Sequence, residues 1–166
     1  PNSSYPRRWC SGERGSKGVH MAERTVFQSM ANKHVVSVPP QASIREAACV
    51  MTRASCGSVL VLEPPDVMLG ILTERDLMTR VLAKGLDPEQ TTVREVMTPK
   101  PICVKPETPV SEAIVIMIER GFRHLPVVTA QQRILGVFSV RDALPREINS
   151  ALDIAEFNEQ VNDALG

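Results

Sequence analysis

Hydroxyl, guanidinium and carboxylate recur at one fixed spacing in this chain. They stand in Gly70-Ile71-Leu72-Thr73-Glu74-Arg75-Asp76 and again in Gly136-Val137-Phe138-Ser139-Val140-Arg141-Asp142. Asp76 and Asp142 are 66 positions apart. An Asp in the first turn of a helix can accept hydrogen bonds from the vicinal hydroxyls of a ribose. Charged acceptors of that kind contribute about 1.5–3 kcal/mol each. Thr73 and Ser139 fit helix N-caps, where free backbone N–H groups and the helix dipole favour an anion such as phosphate. Arg75 and Arg141 add planar forks suited to phosphate oxygens. The glycine that opens each motif permits close backbone approach. The same residues also fit plain N-caps followed by first-turn acids, with solvated arginines. Recurrence of the whole set at equivalent places favours binding.

The elements around the motifs keep the same 66-residue register. Val38 matches Val104, Pro40 matches Pro106, Glu46-Ala47 matches Glu112-Ala113, Met51 matches Met117 and Val61 matches Val127. Internal repetition of this kind means two copies of one supersecondary unit. In the first copy, Thr25 to Met30 reads as a short helix or turn and Val35 to Val38 as a strand stopped by Pro39-Pro40. Ser43 with Glu46 forms a capping box for the next helix. Strands follow at Ser58–Leu62 and Val67–Leu72. Thr73 then opens a helix that runs to Lys84 and stops at Gly85. The second copy predicts a strand near Ile102–Val104, a helix over Val110–Arg120, strands Leu125–Val128 and Arg133–Phe138, and a helix from Ser139. The expected class is α/β, two β-α-β-β-α repeats. The expected organisation is a leader over residues 1–21, repeat 1 over 22–85, a linker over 86–97, repeat 2 over 98–145 and a C-terminal helix over 146–166.

These residues resemble a known family. The paired Gly-x-x-[Thr/Ser]-x-x-Asp endings, Val96-Met97-Thr98 and Arg123-His124-Leu125-Pro126-Val127-Val128 resemble a tandem CBS domain pair, the Bateman module, over about residues 25–145. The resemblance implies two units packed about a pseudo-twofold axis. It implies clefts for an adenosine nucleotide such as AMP, ADP or ATP, or for NAD or S-adenosylmethionine. It also implies assembly into a disc-like homodimer and a regulatory role with no catalysis and no catalytic cofactor.

The two copies differ at one telling place. Arg123-His124 stands where the first copy has Gly57-Ser58, and Lys100 stands where the first copy has His34. The stronger site is therefore expected to use Asp142, Ser139, Arg123 and His124, with Lys100, Pro101 and Ile102 against the base. Thr73, Arg75 and Asp76 form the second, weaker or empty site, or reach across to the phosphates of the first. His124 also fits a structural role at a strand edge.

Composition bounds the rest. Among 166 residues 43% are hydrophobic and the formal net charge is +0, which disfavours a general nucleic-acid or anionic-membrane binder. No apolar run approaches the roughly 20 residues of a membrane span. Cys10, Cys49, Cys56 and Cys103 lack metal-ligand spacing and read as small buried residues of a reducing cytoplasm. No nucleophile–base pair is evident. The tail from Pro145 to Leu165 carries an apolar stripe against an acidic face, fitting a helix that covers the module or docks a partner. Two functions remain: a stand-alone nucleotide-sensing module acting through its own assembly or an effector protein, and a structural dimerisation module with vestigial pockets.

Overall fold

Side-chain caps set the helix starts along the chain. The structure, a computed structural model, describes residues 24–143. The leader and the C-terminal helix expected from the sequence lie outside those residues. Helix α1 (Val26–Ser29) opens on a Thr25–Gln28 capping box. Strand β1 (Ser37–Val38) precedes α2 (Ile44–Arg53), whose Ser43–Glu46 capping box satisfies two otherwise orphaned N–H groups. Strands β2 (Ser58–Glu63) and β3 (Val67–Thr73) form a hairpin. Thr73 caps α3 (Glu74–Asp76), which continues as a π turn over Leu77–Val81 and a 3-10 turn over Leu82–Lys84. Gly85 ends that run in the left-handed region, as expected. Then come α4 (Val93–Val96), β4 (Thr98–Pro99), α5 (Val110–Arg120), β5 (His124–Val128), β6 (Ile134–Ser139) and a 3-10 turn over Val140–Ala143.

The first sheet has the order β1-β2-β3-β4, parallel at β1–β2 and antiparallel beyond. The second pairs β5 with β6. The strand expected near Ile102–Val104 is reduced to one parallel bridge, Val104 to Val127. That bridge is the counterpart of Val38 opposite Val61, so the duplicated register survives where the strand does not.

Two apolar cores form, and each takes its leading helix from the other side of the chain. The first core contains Ile44, Met51, Val59, Val61 and Leu72 together with Val93 and Val96 of α4. The second contains Ala113, Met117, Leu125, Val127 and Phe138 together with Val26 and Met30 around α1. The backbone bonds are matched: Val93 N donates to Ala42 O and Val26 N donates to Thr108 O, at 2.9 and 2.8 Å. Thus α1, ahead of the first unit, completes the second, and α4, ahead of the second, completes the first. No helix among the described residues is long and apolar enough to cross a membrane.

Candidate functional site

Exchange of the leading segments decides which residues share a cleft. β4 lies antiparallel to β3, with Pro99 opposite Gly70, and Lys100 N donates to Leu69 O at 3.1 Å. The close approach needs Gly70, because a Cβ there would lie 2.7 Å from both Thr98 O and Met97 Sδ. Lys100, Pro101 and Ile102 are thereby carried to the first copy of the motif. They line a cleft of about 400 Å³ with Thr73, Arg75, Asp76, Arg80, Phe122, Arg123 and His124. The sequence grouping of Lys100, Pro101 and Ile102 with Asp142 is corrected by this pairing. Their counterpart His34 sits instead in the second cleft, of about 650 Å³, with Ser139, Arg141 and Asp142.

At the floor of the first cleft the motif closes on itself. Asp76 Oδ2 accepts from Thr73 N at 2.9 Å and from Thr73 Oγ1 at 2.7 Å. Asp76 Oδ1 pairs with Arg80 Nε at 3.2 Å, and Arg80 also donates to Val96 O at 2.7 Å. Asp142 is built alike on one side, accepting from Ser139 N and Ser139 Oγ at 2.7 and 3.0 Å. Its other oxygen accepts from Ala31 N at 2.9 Å, a contact across 111 residues of chain. Both carboxylates are 8% exposed. The partner on the second oxygen therefore differs: the Arg80 side chain on Asp76, the backbone N–H of Ala31 on Asp142.

Cations converge on the first cleft. Arg75, Arg80, Lys100 and Arg123 all line it, with Pro101, Ile102, Ile71 and Phe122 as apolar wall. Arg75 donates to Gly121 O at 2.9 Å, tying α3 to the end of α5. Arg123 and His124, expected beside Asp142, line both clefts. Burial holds the His124 imidazole below its ordinary value, Arg123 pushes the same way, and Glu74 and Asp142 oppose them. The imidazole is therefore neutral near pH 7 and offers a donor and an acceptor.

Glu74, Arg80 and Phe122 line clefts but were not singled out from the sequence. Arg80 stands four residues after Asp76, an i,i+4 pairing that marks it in retrospect. Glu74 carries no such signal, since its counterpart is Val140. Of the four cysteines expected to be buried, Cys49 and Cys103 are exposed, Cys56 is half-buried and Cys10 lies outside the described residues. Among the described residues no His, Cys, Asp and Glu cluster could hold a metal ion.

Known proteins share this architecture. The CBS domain family matches residues 27–83 and 93–147. An uncharacterised protein of Methanopyrus kandleri is 31% identical over 136 residues, 82% of this chain and 69% of its own length. Arabidopsis thaliana CBS domain-containing proteins match at 37% identity, and there the chain spans only about a fifth of the relative, 22% in one case. The crystal structure of a CBS-domain protein of Agrobacterium tumefaciens superposes with a TM-score of 0.67 at 32% identity, covering 72% of this chain and 90% of that one. A CBS domain protein of Pyrobaculum aerophilum, solved in complex with AMP, gives a TM-score of 0.67 at 27% identity over 79% of this chain and 99% of that one. With both copies of the repeat matched and the two cores built alike, the chain belongs to the CBS-domain family as a tandem CBS pair.

Proposed function

We propose that this tandem pair is a regulatory module that binds an adenosine nucleotide, AMP foremost, in the cleft floored by Thr73 and Asp76. The observation that carries the reading is the convergence there of Arg75, Arg80, Lys100 and Arg123 with an apolar wall around Pro101 and Ile102. Its volume of about 400 Å³ is suited to a small ligand. The base packs on Pro101 and Ile102, the ribose hydroxyls take Asp76 as Arg80 gives way, and the phosphate takes Thr73, Arg75 and Arg123. Complex formation with AMP in the Pyrobaculum relative supports the ligand class; ADP, ATP, NAD and S-adenosylmethionine are the alternatives to test. The signal would pass through a change in a disc-like homodimer, or to an effector protein, to the extent that the ligand binds one state more tightly.

Ranking Asp142 first followed from Arg123-His124. Since that pair lines both clefts and Lys100 serves Asp76, the order is reversed. A structural role is favoured for the Asp142 copy, because its second oxygen already holds Ala31 N. Calorimetric titration of AMP into wild type, Asp76→Ala and Asp142→Ala decides the matter. Asp76→Ala is expected to weaken AMP about tenfold to a hundredfold. Loss in Asp142→Ala alone restores the original order, and no binding by wild type leaves the structural module.

A further inference from the structure

Glu74 stands where the two clefts meet. Its side chain lines both of them, together with Gly57, Arg123 and His124. Glu74 N donates to Gly57 O at 3.1 Å, which fixes the start of α3 against that stretch of backbone. A Cβ at Gly57 would lie 3.1 Å from Glu74 Oε2 and 3.2 Å from His124 Nε2. Carboxylate and imidazole thus converge on one bare patch of main chain, kept open because position 57 has no side chain. The charge is felt there: Glu74 acts to raise the pKa of His124 against the effect of burial.

This wall is where the duplication is broken. The counterpart of Glu74 is Val140, and the counterpart of Gly57 is Arg123. One copy supplies the cation and the imidazole; the other supplies an anion and a gap. For an anionic ligand in the Asp76 cleft the position of Glu74 has a direct consequence. With the base at Pro101 and Ile102 and the ribose at Asp76, the first phosphate falls among Thr73, Arg75 and Arg123. Extended along the wall that the two clefts share, a second or third phosphate would meet Glu74 beside Arg123 and His124.

We propose that Glu74 is a specificity residue that sets phosphate number, admitting a nucleoside monophosphate and disfavouring the di- and triphosphate. The proposal rests on the reading of the Asp76 cleft as a nucleotide site. Like charges a few ångströms apart in a half-enclosed cleft change affinity by about tenfold or more.

The test is calorimetric titration of the full chain with AMP, ADP and ATP in EDTA, so that no divalent cation masks the phosphates. Two variants are compared with wild type: Glu74→Gln, which keeps the shape, and Glu74→Val, which installs the residue of the other copy. The expected result is that ATP tightens about tenfold in both variants while AMP changes less than about threefold. An unchanged ATP-to-AMP ratio, with AMP still bound, overturns the role of Glu74 and leaves the nucleotide site standing. Absence of binding of all three nucleotides, in wild type and both variants, overturns the nucleotide site and this proposal with it.

Discussion

Asp76 and Asp142 show one residue type used in two ways. Each closes a ring with the hydroxyl three positions earlier, and that ring is what the repeated motif announces. The remaining oxygen decides the use, and it depends on a partner that no local pattern specifies. Asp142 clamps Ala31 N, so Asp142→Ala orphans a partly buried N–H and removes the Ser139 contacts. Unfolding in urea should show a loss of about 1–3 kcal/mol. Because Asp76 Oδ1 faces a side chain instead, Asp76→Asn should cost less stability than Asp142→Asn in the same titration. His124 adds a pH dependence of definite sign. Its folded pKa lies below the ordinary 6.5 because burial penalises the cation. In the window between the lowered value and 6.5 the unfolded chain holds more protons, so stability present above that window is lost as pH falls through it. The melting temperature should drop between about pH 7.5 and about pH 5.5, and His124→Gln should shrink the drop. An equal drop in His124→Gln would assign the effect to other groups.

At the level of elements, the two copies solve one turn with different residues. The segment after α2 passes through the left-handed region at Ser55, φ 49°, and the segment after α5 does so at Gly121, φ 72°. Glycine adopts that conformation without a Cβ clash, and other residues pay roughly 1–2 kcal/mol. Ser55→Gly should therefore raise stability by about 0.5–1 kcal/mol, net of the greater freedom of glycine in the unfolded chain, and Gly121→Ala should lower it by about 1 kcal/mol. Opposite shifts in the two urea midpoints check the pair; shifts of one sign would show that the turns are not equivalent. Capping boxes were the most legible element signals: Ser43 with Glu46 marked α2 because hydroxyl and carboxylate satisfy each other's neighbouring N–H groups. The strand near Ile102–Val104 was illegible for the opposite reason. Its apolar residues match the pattern of a strand, but only Val104 finds a backbone partner beside β5. Apolar spacing in Cys49 and Cys103 likewise suggested burial, while both face solvent.

For the molecule as a whole, repetition made the architecture readable and also concealed one connection. A 66-residue register carries the shared pattern of two units, but it says nothing of which unit a connecting helix joins. The leading helices do match, Thr25-Val26 and Met30 with Thr92-Val93 and Met97, at an offset of 67, one residue out of step with the rest. That slip hid their kinship, and with it the reason Lys100 reaches Asp76: each unit is finished by the segment that precedes its partner. Exchange of this kind makes the two cores depend on each other along the chain. Val26 is fully buried among Met117, Leu125 and Phe138 in the second core, although it precedes the first unit. Val26→Ala removes two buried methyl groups and should cost about 2 kcal/mol. Hydrogen exchange locates the damage. Amides of β5 and β6 should lose protection first, while those of β2 and β3, near in sequence but packed on the other core, keep more of theirs. Val93→Ala in α4 should give the mirror image, exposing β2 and β3 before β5 and β6. If Val26→Ala exposed β2 and β3 first and Val93→Ala exposed β5 and β6 first, the leading helices would belong to the units they precede, and Lys100 would return to the side of Asp142.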